Sequence, residues 1–144
     1  MLATIKKMIY CTSNKANSKI NLWRVDNNTF RVLEYDKLTA VMTGSDYTIV
    51  NSKLVSVFDE LLSDEIEIRP IKIIRKSTSE EWNGFHELII KEHIDPEKIK
   101  ITNENERSVW QYNHHLFVSK DLKNKLEIEF KNELEFSEGF SHFG

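Results

Sequence analysis

Two stretches of this 144-residue chain follow the same pattern 68 positions apart, and nothing else in the sequence constrains its fold as strongly. Residues 49–68 read IVNSKLVSVFDELLSDEIEI and residues 117–136 read FVSKDLKNKLEIEFKNELEF, and the two align without a gap. Four of twenty positions are identical (Val50/Val118, Leu54/Leu122, Glu65/Glu133 and Glu67/Glu135), and the polar or apolar class agrees at sixteen. Each copy opens on an apolar pair, passes through a small polar residue into apolar positions at helical spacing, and ends in an apolar–Glu–apolar triplet. Side chains alternate along a strand and recur every three to four residues along a helix. Each copy therefore predicts a strand, a cap, a helix and a second strand. The repeat states architecture and carries no reaction chemistry.

In the first copy Tyr47–Val50 reads as the strand, and Asn51 or Ser52 can accept a bond from an orphan backbone N–H at the helix start. Leu54, Phe58, Leu61 and Leu62 then share one face, widened by Val55 and Val57. In the second copy Leu122, Leu126 and Phe130 form one row among Lys123, Asn124, Lys125, Glu127 and Glu129. A wider stripe implies deeper burial, so the first helix is expected centrally and the second on the outside. The run Glu65–Ile74 alternates as a strand except at Pro70, which has no N–H and signals an edge, a bulge or a break.

Around these units the chain reads as β-structure. Met8–Thr12 is a strand and 13–18 a polar loop. Leu22–Val25 and Phe30–Leu33 flank the turn-rich Asp26–Thr29, a hairpin. Ser77–Asn83 reads as a loop, Phe85–Lys91 as a strand, Asp95–Pro96 as a turn, Ile99 and Ile101 as a short strand, Asn103–Arg107 as a turn. Val109–Val118 is β-like with a break at Asn113, and Gly139 ends the pattern. The expectation is one α+β domain with a mixed, mostly antiparallel sheet and two principal helices. Residues 1–45 form a β-rich part, 46–76 the first unit, 77–114 a β connection and 115–140 the second unit. If the two strands of a unit were adjacent and parallel, their crossover would be right-handed.

Composition narrows the function classes. Apolar residues at 40% and a formal charge of −3 exclude a disordered chain. Mild acidity argues against a nucleic-acid partner, which calls for a basic surface. No apolar run reaches the length of a membrane span, no leader pattern opens the sequence, and the lone Cys11 leaves no intrachain disulfide. A cytoplasmic protein without a membrane or nucleic-acid partner is expected.

Chemistry-bearing residues are sparse. His86 and His93 lie seven apart on a β-like segment, which points their rings to opposite faces, and the spacing does not match HExxH. His114 and His115 are adjacent and diverge, and His142 lies near the end. Cys11 lacks a visible base and reads as a buried strand thiol. No Gly-rich phosphate loop or nucleophile elbow is present. No catalytic residue, cofactor or metal is expected. Acidic pairs remain as a docking patch for a basic partner: Asp59 with Glu60, Glu80 with Glu81, and Glu127 on the second helix. Trp82, in the polar run STSEEWNGF, is the expected exposed anchor, whereas Trp110, which shares a strand face with Tyr112, is expected in the core.

The run DYTIVNSKLVSVFDELLSDEIEIRPIKI resembles the strand, cap, helix and strand unit of bacterial polymorphic-toxin immunity proteins, a group first catalogued as a domain of unknown function. HHLFVSKDLKNKLEIEFKNELEFSEGF resembles its closing unit, with the Val118–Ser119 pair at the cap. The likeness covers residues 46–140. It implies a non-enzymatic protein that binds and blocks a cognate toxin, and it transfers no site residue. Two alternatives stand beside it. One is a small histidine-dependent hydrolase, in which His86, His93, His114 or His115 would share a pocket with a carboxylate. The other is an adaptor or self-associating scaffold.

Overall fold

The computed structural model describes residues 9–44, 46–59, 66–90, 109–112 and 115–138. The strands of these residues are β1 (Ile9–Asn14), β2 (Asn21–Asp26), β3 (Thr29–Glu34), β4 (Val41–Thr43), β5 (Thr48–Asn51), β6 (Ile66–Arg75), β7 (Glu80–Ile90), β8 (Val109–Tyr112), β9 (His115–Ser119) and β10 (Leu134–Glu138). The helices are α1 (Val55–Phe58), entered through a 3-10 turn at Ser52–Leu54, and α2 (Lys120–Phe130). The α+β class is as expected, with two sheets in place of one: a four-stranded β10-β1-β9-β8 and a six-stranded β2-β3-β6-β7-β5-β4. Every pairing is antiparallel except that of β3 with β6.

The sequence repeat is a repeat of topology. β7 lies antiparallel to both β5 and β6, and β1 lies antiparallel to both β9 and β10. Each unit is therefore a split β-α-β, two parallel strands with a third strand between them. The adjacent parallel pair considered from sequence does not form, because each unit leaves a slot that a strand from elsewhere in the chain fills. Equivalent positions meet in one core. Val50 and Val118, Leu54 and Leu122, Phe58 and Leu126, and Ile66 and Leu134 are all buried in the same cluster, and Ile68 and Phe136 pack against it. Burying such side chains contributes about 1.5–3 kcal/mol each. Both helices bury their stripes there, so α2 does not lie outside a core that α1 occupies alone.

The caps follow the chemistry of the sequence. Asn51 Oδ1 accepts from Lys53 N at 3.0 Å, and Ser119 Oγ accepts from Leu122 N at 3.3 Å. Pro70 sits within β6 at an exposed position opposite His86, and a register shift follows between Ile71 and Ile73. β3 pairs with β6 only from Lys72 onward, so Pro70 has β7 alone as a strand neighbour. The 77–83 loop is shorter than expected. β7 starts at Glu80, and Trp82 is a strand residue opposite Ile73. Cross-strand ion pairs, Arg75–Glu80 at 3.5 Å and Lys72–Glu81 at 3.7 Å, let a polar stretch extend the ladder. Leu61 and Leu62, the Asp95–Pro96 turn, the 99–101 strand, the 103–107 turn, Asn113 and Gly139 lie outside the described residues.

A second cluster lies on the other face of the six-stranded sheet, with Phe30, Met42, Ile49, Ile71, Ile73 and Phe85 among its buried members. Tyr47 joins it and meets Phe30 edge-on at 5.4 Å between ring centroids. The Leu22 N–H donates to Tyr47 Oη at 3.3 Å, so the sheet curls until its β2 edge reaches the β4–β5 turn. Cys11 and Trp110 are buried with Ile9 and Phe117 on the four-stranded sheet's face opposite the helices, as their strand parity requires.

Candidate functional site

Alternation along β2 sorts its side chains. Leu22 is buried and Arg24 half-buried on the core side, which turns Trp23 and Val25 outward. Trp23 is 61% and Val25 53% exposed, and Leu33 and Tyr35 from the partner strand and its exit are 45% and 49% exposed. Single exposed apolar residues are ordinary, but three on one hairpin with a fourth at its exit mark a surface with a use. Beside them Tyr35 stacks on Trp82 with centroids 6.3 Å apart, and the Arg75 guanidinium lies 3.9 Å from the Tyr35 centroid. Arg31, Leu33, Tyr35, Arg75 and Lys76 line a shallow cleft of about 360 Å³ there. Aromatics interleaved with arginines are the composition of binding hot spots.

The hairpin is anchored from beneath. Arg24 forks onto Glu87, with Nη1 donating to Oε1 at 3.0 Å and Nη2 to Oε2, while its Nε lies 3.4 Å from Asp46 Oδ2. Its guanidinium also stands 4.7 Å from the Phe30 ring centroid. The Glu87 hydrogen bond holds the Arg24 proton more firmly than usual, against the opposing effect of burial. Tyr47 keeps its phenolic proton above the ordinary range because burial disfavours the phenolate. Gln111 Nε2 donates to the Tyr47 carbonyl at 3.3 Å and ties the four-stranded sheet to the same turn. These bonds fix the height and tilt of the β2 edge.

The residues singled out from sequence fall on several elements. Glu80, Glu81 and Trp82 lie together at the start of β7. Both glutamates carry cationic partners from β6, and Trp82 is half-covered by Tyr35 and the second core cluster. Asp59 is exposed at the end of α1, and Glu127 is exposed on α2 beside Lys123 at 3.2 Å. Glu60 lies outside the described residues. The exposed tryptophan is Trp23. The signal for it is the NLWRVD alternation, since placing Leu22 inward places Trp23 and Val25 outward.

Of the histidines, His86 is on β7 with Nδ1 2.8 Å from Ser52 Oγ, and His115 is on β9 against the Phe117 ring. They belong to different sheets. His93, His114 and His142 lie outside the described residues. Among the described residues no group of three or more His, Cys, Asp and Glu is placed to hold a metal ion, and no helix is long and apolar enough to cross a membrane. No family model, curated protein or solved structure matches the chain.

Proposed function

We propose that this protein acts by binding another protein, and that it neutralises a cognate bacterial toxin in the cytoplasm without catalysing a reaction. The observation that carries the binding role is the exposed group of Trp23, Val25 and Leu33 on the β2–β3 hairpin, with Tyr35 at the exit of β3. The toxin as partner comes from the likeness of residues 46–140 to immunity-protein units. A strip of this kind, seated on a hydrogen-bonded sheet, presents rigid apolar side chains at small entropic cost on association. Arg31, Arg75 and Lys76 around it favour an acidic rim on the partner. The test is co-expression with the toxin encoded beside it, together with a pull-down. Protection and a stable complex are expected, and a chain that neither binds nor protects overturns the reading.

The Ser52–His86 contact favours the hydrolase as a second reading, because a hydroxyl within hydrogen-bond reach of an imidazole is the start of a nucleophile–base pair. It predicts covalent labelling by a serine-directed fluorophosphonate that Ser52→Ala abolishes. Equal labelling of the parent and the variant removes this reading.

A further inference from the structure

β3 and β6 form the one parallel pair among the described strands, and Arg31 opposite Ile74 is its last rung. Beyond that rung the two chains leave in opposite directions. The exit of β3 is drawn toward the start of β2, where Asp36 Oδ2 accepts from Lys19 N at 2.8 Å and Ser18 Oγ donates to the Lys37 carbonyl at 2.6 Å. β6 turns the other way into β7 through residues 76–79, with Ser79 at a φ of 59°. Neighbouring parallel strands whose ends diverge leave a crevice between them, and open sheets carry ligands in such crevices. Here the crevice is the cleft of about 360 Å³, within the size range of small-molecule sites. Its charge is one-sided. Arg31, Arg75 and Lys76 line it together with Ser77, and none of its lining residues is acidic. Among the described residues neither Arg31 nor Lys76 has an ion-pair partner, whereas Arg75 meets Glu80 at 3.5 Å. Glu80 offsets one of the three positive charges, and an excess of two remains. A cleft of this size spans roughly one Debye length, about 8–10 Å, so the charges act together on what enters it. Arg75 is also placed in advance, with its guanidinium 3.9 Å from the Tyr35 centroid and Tyr35 stacked on Trp82.

We propose that this cleft binds a small phosphate monoester. Such a group carries about −1.5 to −2 of charge near neutral pH, which matches the excess that the protein leaves unbalanced. A single carboxylate would offset only half of it. Arg31 and Lys76, free of other ion pairs among the described residues, take the phosphoryl oxygens, the guanidinium as a planar fork and the ammonium as a point charge. Arg75, held by Glu80 and Tyr35, adds its field. Leu33, 45% exposed, and Tyr35, 49% exposed, form the apolar wall against which the organic part of the ester lies. The site is independent of the protein-binding function, and it asks no reaction of the ligand.

The test is an NMR titration of the full chain with phenyl phosphate, with benzoate and inorganic phosphate as comparison probes. Saturable shifts of the Arg31, Leu33, Lys76 and Ser77 amides are expected. Phenyl phosphate should bind at least tenfold more tightly than benzoate and several-fold more tightly than inorganic phosphate. Its affinity should fall as the pH drops below about 6, where the dianion takes up a proton. Arg31→Gln combined with Lys76→Gln should weaken binding at least tenfold while the circular dichroism spectrum is retained. Lys76→Gln alone, in an exposed turn, provides a milder variant should the pair fail to fold. Lys120→Gln combined with Lys131→Gln removes the same charge from exposed positions at the two ends of α2 and should bind as the parent does. Shifts that do not saturate, benzoate binding as tightly as phenyl phosphate, or equal weakening by both pairs of substitutions would mean diffuse attraction and overturns the site. Inorganic phosphate binding as tightly as phenyl phosphate removes the role of Leu33 and Tyr35 and overturns the monoester. Each of these outcomes leaves the toxin-binding function to be decided by its own pull-down.

Discussion

Arg24 on the edge strand β2 closes a two-bond fork on Glu87 of β7, two strands further into the sheet than its own neighbour β3. The carboxylate is 3% and the guanidinium side chain 28% exposed. A carboxylate removed from water to that extent is tolerated because the fork supplies both charge and geometry. The pair ties the outermost hairpin to the middle of the curled sheet, under the strip assigned to binding.

Removing the two partners should therefore have unequal costs. Arg24→Ala leaves a buried carboxylate without its cation and should destabilise by about 3 kcal/mol. Glu87→Gln removes the charge, keeps an acceptor and leaves the arginine near water, for about 1–2 kcal/mol. Urea unfolding of the two variants measures the difference. Equal losses would mean that burial of the carboxylate is not what the arginine offsets.

Asn14 imitates a strand at the β4 edge, where its carboxamide accepts from Val41 N at 3.0 Å and donates to Val41 O at 2.6 Å. Asn14→Ala loses two bonds to Val41 and should cost about 1–2 kcal/mol, with faster amide exchange at Val41. Asn14→Asp keeps the acceptor for Val41 N but sets a carboxylate oxygen against the Val41 carbonyl, and should be the worse of the two. Parent-like exchange at Val41 in both would show that the edge is closed by something other than this side chain.

The repeat was the legible part of the fold. Its phase alone puts Val50, Val118, Leu54 and Leu122 on core-facing positions, and all four are buried in one cluster. The caps were legible for the same reason, since Asn51 and Ser119 stand where orphan N–H groups need an acceptor. Strand order was not. Nothing local to residues 46–76 says that β7 will fill the slot between β5 and β6, because that depends on a segment later in the chain. The strand position of Trp82 was hidden by its polar surroundings: its neighbours Glu80 and Glu81 are strand residues held by Arg75 and Lys72, and cross-strand partners are invisible to a local window. Trp23 was within reach of the same alternation argument applied to β2. The Arg24–Glu87 fork, between residues 63 positions apart, was not.

The α2 cap and the outer face of the same helix should respond unequally to substitution. Ser119→Ala removes the acceptor for Leu122 N and should cost about 1 kcal/mol. Ile128, 78% exposed, packs against little, and Ile128→Lys should change stability by less than about 0.5 kcal/mol. Thermal melts of the two variants settle it. A large loss at Ile128 would reveal that the outer face of α2 is covered.

Cys11 gives the stability of the protein an alkaline limit. Burial on the four-stranded sheet pushes its thiol from 9.0 up to about 11, because the thiolate would lose its hydration there. Below pH 9 both folded and unfolded chains hold the proton and the group adds no pH dependence. Between about pH 9 and 11 the unfolded chain releases the proton while the folded chain keeps it, so stability falls as pH rises, by at most about 3 kcal/mol. Lysines and tyrosines titrate in the same range, so the measurement is a difference: urea midpoints of the parent and of Cys11→Ala at about pH 8 and about pH 10.5. The variant lacks the thiol, pays a roughly constant cavity cost of about 1 kcal/mol, and should lose less stability over that interval than the parent. The native thiol should also react far more slowly than an unfolded one with a disulfide reagent near neutral pH. Parallel pH profiles for the two proteins would mean that Cys11 ionises as readily in the folded chain as in the unfolded one.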